Sequence, residues 1–226
     1  LLRRLRDGSG GQVESFELVP DAGLQLVLTH LEGHRPPLGG RHAWHVLVEL
    51  AGPQPFGELL AAALPGLVED AVVSASEAQA RALWRLREEP PLAERRDGPA
   101  VHHDIAVRVA DMPDFALAAS ARVEAAFPGA RVLAFGHLGD GNLHFNVRAP
   151  AIPDAAGWVA RHRVAITTLV HDLVTAAGGS ISAEHGIGQL KKADLARLAD
   201  PAKLAAMRTL KAAFDPLGIM NPGRVV

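Results

Sequence analysis

The stretch Phe135-Gly136-His137-Leu138-Gly139-Asp140-Gly141-Asn142-Leu143-His144-Phe145-Asn146 constrains this chain most. Asp140-Gly141 is a dipeptide favoured in a two-residue type I′ turn, where both central residues need positive φ. With those residues at the turn, Gly139 faces Asn142, Leu138 faces Leu143 and His137 faces His144. Directly opposed residues on an antiparallel pair have Cβ atoms roughly 4.5–5.5 Å apart and project to one face. Two imidazoles so placed could share one divalent ion, which needs a third ligand, usually a carboxylate. The opposite face carries Val132, Ala134, Gly136 and Leu138 against Leu143, Phe145 and Val147, an apolar surface fit for a core. One side of the hairpin is expected to pack and the other to present histidines.

Around the hairpin the elements come in the order of an antiparallel α+β domain, without a run of parallel βαβ units. Leu1 to Arg6 reads as the end of a helix, Val13 to Val19 alternates, and Ala22 to His30 is a helical apolar run. Trp44 to Leu50 reads as a strand bounded by turn signals, the second being Gly52-Pro53-Gln54-Pro55. Phe56 to Leu64 reads as helix and Ala71-Val72-Val73 as a short strand. Ser74-Ala75-Ser76-Glu77 has capping-box spacing, with Ser74 as the cap of a helix that stops before Pro90-Pro91. Leu92 to Pro99 reads as a polar loop and His102 to Val109 as strand. Helices follow at Pro113 to Phe127 and from Asp154 to about Ala177. Ser180 to Ala183 is a short strand delivering Glu184-His185, and Asp200-Pro201 opens the last helix.

Glu184-His185 supplies an oxygen ligand and a base together, among glycines that permit close backbone approach by a ligand. Gly186-Ile187-Gly188 before Lys191-Lys192 fits neither a Walker loop nor a dinucleotide fingerprint. Arg85 and Arg87 lie on the capped helix, and Arg87, just before the proline pair, could grip a carboxylate bidentately. His102 and Asp104 alternate on one strand and share a face. A formal net charge of -2 gives no general basic field for nucleic acid or an anionic membrane. With no cysteine there is no thiolate metal site and no disulfide. No apolar run approaches the roughly 20 residues of a membrane helix.

Gly136-His137-Leu138-Gly139-Asp140-Gly141-Asn142-Leu143-His144, then Ser182-Ala183-Glu184-His185-Gly186-Ile187-Gly188, then Asn221-Pro222-Gly223-Arg224 resemble the C-terminal half of the FAD-linked oxidases. That group includes D-2-hydroxyglutarate dehydrogenases, D-lactate dehydrogenases and the glycolate oxidase large subunit. The resemblance covers essentially the whole chain, including Leu83-Trp84-Arg85-Leu86-Arg87-Glu88 and His103-Asp104-Ile105-Ala106-Val107. It implies that residues 1–226 form a substrate (cap) domain: an antiparallel, ferredoxin-like sheet covered by helices. A helical tail at about 200–226 would return toward the flavin, and the N-terminal FAD-binding domain would be absent from this chain. Carried over by position, His137, His144 and Glu184 correspond to metal ligands, usually of zinc in the 2-hydroxyglutarate branch. His185 corresponds to the base, Arg87 and Asn146 to substrate-binding groups, and Asn221 to a residue approaching the FAD. His102 stands where the family commonly has a substrate-binding Lys, and Pro91 where the 2-hydroxyglutarate branch has a hydroxyl residue. A dicarboxylate is therefore expected to be held less firmly.

The resemblance implies oxidation of a small D-2-hydroxy acid to the 2-oxo acid, with hydride passing to FAD and on to an unidentified acceptor. A cytoplasmic location and a homo-oligomer are compatible with it, and neither a membrane span nor nucleic-acid binding is expected. The chain opens on Leu1 inside an amphipathic element, which favours a part of a longer oxidoreductase, inactive alone. Two alternatives are a free-standing domain that binds metal or hydroxy acid or docks on a separate flavoprotein, and a metallohydrolase. The last lacks the helical His-Glu-x-x-His arrangement.

Overall fold

A computed structural model describes residues 1–53 and 55–226. Gln54, expected in the turn after the Trp44–Leu50 strand, lies outside the described residues. Five strands, β1 (Val13–Pro20), β2 (Trp44–Leu50), β3 (Ala100–Ala106), β4 (Arg131–His137) and β5 (Asn142–Arg148), form one sheet in the order β2-β1-β4-β5-β3. Every pairing is antiparallel. The helices among the described residues are α1 (Leu2–Ser9), α2 (Asp21–His30), α3 (Gly57–Ala63), α4 (Glu77–Glu88), α5 (Pro90–Asp97), α6 (Met112–Ala126), α7 (Ala155–Ala176), α8 (Lys192–Leu198) and α9 (Pro201–Phe214). This is the expected α+β class.

Strand alternation sorts the sheet into two faces, and both are covered. Phe16, Leu18, Ala134, Phe145, Val147 and Ile105 form one core with Val123 of α6 and with Ile166 and Val170 of α7. Leu133 and Phe135 point the other way and meet Leu24 and Val27 of α2, Leu86 of α4 and Ala93 of α5. Phe135 and Phe145 are each essentially inaccessible, and such burial contributes about 1.5–3 kcal/mol per side chain. The expected histidine face is therefore half a core, and its polar groups sit beyond the edge of that core.

The hairpin register departs from the expected one. The β4–β5 ladder ends at Phe135↔His144, two residues out of step with a His137↔His144 pair. Asp140 is not among the residues with positive φ, so the type I′ turn does not form; its carboxylate instead accepts from the Asn142 amide at 3.0 Å. His137 O closes the wider loop, accepting from the amides of Asp140 and Gly141. β1 takes the end of β4, pairing Glu17 with His137 and Leu18 with Gly136. At Gly136 a Cβ would lie 2.4 Å from Asn142 O, and at Gly141, φ 87°, it would lie 2.1 Å from Val107 O. Because the shift is two residues, the histidines keep a common face as diagonal neighbours.

Three local readings are corrected. Ser76, not Ser74, caps α4, its hydroxyl accepting from Gln79 N. Residues 92–97 belong to helix α5, because Pro90 and Pro91 occupy first-turn positions where a missing N–H costs nothing. Ala71-Val72-Val73 forms no strand, and Val72 and Val73 are exposed with no partner strand beside them. Ser180–Ala183 likewise contributes one bridge, Ser180 to Ala106, which lays the following loop along the edge of β3.

Candidate metal and substrate site

The ends of β4 and β5, the loop after α7, the last turn of α4 and the middle of β1 converge on one edge of the sheet. One ligand atom from each of His137, His144 and Glu184 lies within 4.8 Å of the others. The imidazoles of His137 and His144 are 5.7 Å apart, edge to face, and His137 Nε2 is 3.5 Å from Glu184 Oε1. Burial, and then the nearby Arg87 charge, push His144 below its ordinary value, so it is neutral at pH 7 with a lone pair to offer.

His137 is set by a residue the sequence reading passed over. Glu17, on β1 and 4 % exposed, reaches His137 Nδ1 at 3.0 Å through Oε1. In the neutral ring a carboxylate there places the proton on Nδ1 and leaves Nε2 as an acceptor facing Glu184 and His144. A carboxylate behind a ligating imidazole fixes tautomer and ring orientation in this way. Glu17 Oε2 accepts from Arg87 Nε at 2.7 Å, and both side chains are buried. Arg87 also stands 5.5 Å from the centre of the Phe135 ring, with Nη2 3.5 Å from His137 Nε2. The guanidinium thus reaches the candidate site held along one edge. Arg85, two residues away, is exposed and bonds Glu89. No periodicity singles out Glu17; only its Cα pairing with His137 reveals it.

Asp104 anchors the Glu184-His185 turn. Its Oδ2 accepts from both amides of that dipeptide at 2.9 Å and lies 3.3 Å from His185 Nδ1. Although burial opposes ionisation, those two N–H groups and neighbouring positive charge hold its carboxyl below the usual range. Lys191 ties the loop from the other side through Asp104 O and Ser182 Oγ. The His185 ring, 69 % exposed, keeps Nε2 toward solvent when Nδ1 bonds Asp104. The shared face of His102 and Asp104 was visible in the sequence, but the anchoring role depends on a contact 80 residues away.

His102 and Asn146 form the cross-strand pair adjacent to Asp104↔His144. Both meet Glu94 of α5 rather than an open cleft, His102 Nε2 at 3.1 Å and Asn146 Nδ2 at 2.8 Å from Oε2. Asn221 lies in the tail at φ 46°, lining a cavity of about 440 Å³ with Gly188, Phe214 and Met220. The tail returns to the site loop through Val225 N–H and Gly188 O at 3.0 Å. A smaller cavity of about 220 Å³ opens beside His137 and Glu17, against Ser15 and Asp140.

Two imidazole nitrogens and a carboxylate oxygen form a donor set suited to a divalent ion such as zinc. Comparison with known proteins places the fold and motifs in one group: a family model described as FAD linked oxidases, C-terminal domain, matches residues 1–225, and the chain belongs to that family. It is 38% identical over 220 residues to a D-2-hydroxyglutarate dehydrogenase of Xanthomonas citri pv. viticola, covering 95% of this chain and 46% of the relative. It is 34% identical over 232 residues to a mitochondrial D-2-hydroxyglutarate dehydrogenase of Bos taurus, covering 99% and 41% respectively. A mitochondrial D-2-hydroxyglutarate dehydrogenase of Arabidopsis thaliana is 30% identical over 233 residues, 100% of this chain and 40% of the relative. The chain thus spans less than half the length of each. Among the described residues, no helix is long and apolar enough to cross a membrane.

Proposed function

We propose that this chain is the metal- and substrate-binding part of a flavin-dependent dehydrogenase that oxidises a D-2-hydroxy acid to the 2-oxo acid. The observation that carries the reading is the convergence of His137, His144 and Glu184 beside a histidine anchored by a buried aspartate. The three side chains would hold a divalent ion, zinc being the usual ion for such donors. Bound there, the ion supplies Lewis acidity toward the substrate hydroxyl. FAD, which the family's description names, would supply the hydride acceptor and would be held outside this chain.

The chain's own residues then have separate tasks. His185 takes the hydroxyl proton at Nε2 while Asp104 holds its Nδ1 and sets the ring. Arg87, held by Glu17 through Nε, turns its remaining N–H groups to the substrate carboxylate and fixes the approach of the α-carbon. Glu17 keeps the proton of His137 on the far side of the ring. Asn221 and the tail would face the flavin.

The test is anaerobic mixing of the FAD-containing protein that carries this chain with a panel of D-2-hydroxy acids. Bleaching of the flavin absorbance is expected, with D but not L acids. His185→Asn should slow it by about 10²–10⁴, the range for loss of a general base. An unaltered rate in that variant, or no bleaching by any acid, would contradict the reading.

A further inference from the structure

The two edges of the sheet are finished differently. On one side, β3 is closed by the loop that leads to Glu184 and His185. Ser180 and Ala106 exchange backbone hydrogen bonds at 2.7 and 3.0 Å, and the Ala183 amide donates to Asp104 O at 3.2 Å. On the other side stands β2, which among the described residues pairs with β1 alone. Asp21 N donates to Ala43 O and Ala51 N to Gln12 O, so the odd-numbered backbone groups of this stretch turn toward β1. Those of Trp44, Val46, Val48 and Leu50 turn outward, and among the described residues no other strand or loop takes their hydrogen bonds.

Proteins that keep a free edge unpaired place lysine or proline on it, kink it with a bulge, or cover it. β2 shows none of these devices. Its sequence, Trp-His-Val-Leu-Val-Glu-Leu, carries no Lys, Arg or Pro. The irregularity in the β1–β2 ladder places its extra residue, Glu14, on β1 and leaves β2 regular. Trp44 and Val46 are exposed. They lie on the face where Val46 and Val48 pair with Leu18 and Phe16 of the larger core.

β2 is also complementary to itself. An antiparallel copy turned about Leu47 overlaps the whole strand, setting Trp44 opposite Leu50, Val46 opposite Val48 and His45 opposite Glu49. The outward N–H and C=O groups of Trp44, Val46, Val48 and Leu50 then fall in hydrogen-bonded pairs. His45 and Glu49 fall in the alternate rows, where opposed side chains come closest. Glu49 is exposed, and no ion pair engages it among the described residues. We infer that β2 is a docking edge for β2 of a second copy of this chain, joining the two five-stranded sheets about a two-fold axis at Leu47. Leu47 pairs with Glu17 and Glu17 with His137. The two His137 backbones therefore lie five strand spacings apart, about 24 Å, on the same side of the joined sheet.

The chain has no cysteine, so Leu47→Cys can form a disulfide only with another copy of itself. The axis sets those two residues at a Cα separation of about 4.5 Å, within the span of a disulfide. Mild oxidation of the full chain should convert most of Leu47→Cys to covalent dimer and little of Val73→Cys, which is exposed outside the sheet. Sedimentation velocity of the unaltered chain over about 1–500 μM should show monomer giving way to dimer, as a small interface predicts. Glu49→Lys removes the carboxylate that faces His45, and Val46→Pro removes an outward N–H without touching the β1 ladder. Each, where circular dichroism shows it folded, should weaken association at least about tenfold. Monomer at every concentration overturns the inference and leaves the edge to a strand of a different protein. Unchanged association in either folded variant overturns it too. So does Leu47→Cys that crosslinks no better than Val73→Cys, whether or not the other variants fold.

Discussion

Glu17 and Glu94 are both buried glutamates, and each meets a histidine on the same face of the same sheet. Their effects are opposite. Glu17 takes Nδ1 of His137, so Nε2 is turned out toward His144 and Glu184. Glu94 takes Nε2 of His102 and one N–H of the Asn146 amide, and among the described residues no cluster of metal-ligating atoms forms at that end. What the free side of the imidazole faces, two further ligand residues for His137 and no such cluster for His102, separates the two ends.

Glu17 should be the costlier residue to lose. Glu17→Ala leaves Arg87 buried without its carboxylate, which should destabilise the chain by about 3–5 kcal/mol in urea unfolding. Where the variant folds, or as Glu17→Gln, zinc affinity measured by chelator competition should fall about 10–100-fold. Glu94→Ala strands the Asn146 amide and should cost about 1–3 kcal/mol, with zinc stoichiometry as in the unaltered chain. Equal loss of zinc in the two variants would erase the contrast between them.

His103 sharpens the contrast from the opposite face of β3. Both its nitrogens are consumed, by Phe145 O at 2.9 Å and Thr167 Oγ1 at 3.2 Å. Burial pushes it down to about 4, against about 6.5 in the unfolded chain. The unfolded state therefore binds a proton that the folded state refuses. This stability is complete above about pH 6.5 and drains away as pH falls toward 4, amounting to about 2 kcal/mol between pH 7 and pH 5. Urea unfolding at the two pH values should show that difference, and His103→Gln should remove it. The smallest effect lies outside the site: Ser76→Ala should cost about 1 kcal/mol as a lost helix cap, while Ser74→Ala should stay within about 0.5 kcal/mol.

Much of the fold was legible where a local signal and its packing agree. Trp44–Leu50 is the strand its β-branched residues and flanking turns predict, and Asp154 and Asp200 cap the helices expected of them. The misses share a physical origin: the deciding partner is far along the chain. β1 claims Gly136 and His137, which no hairpin rule for Asp140-Gly141 can foresee. The convergence of His137, His144 and Glu184 followed from motif spacing and resemblance, yet their supports, Glu17 and Asp104, emerge only from strand pairing. Pro90-Pro91 signals both the end of α4 and the start of α5, and reading only the first meaning hid Glu94 in a loop.

The central claim is that the His137 end of this face is built to present nitrogen to a metal and the His102 end is not. Elemental analysis of the purified chain after zinc loading and exhaustive dialysis tests it most directly. About one zinc per chain is expected in the unaltered protein and in His102→Ala, and little in His137→Ala and His144→Ala. Equal zinc in all four would contradict the account.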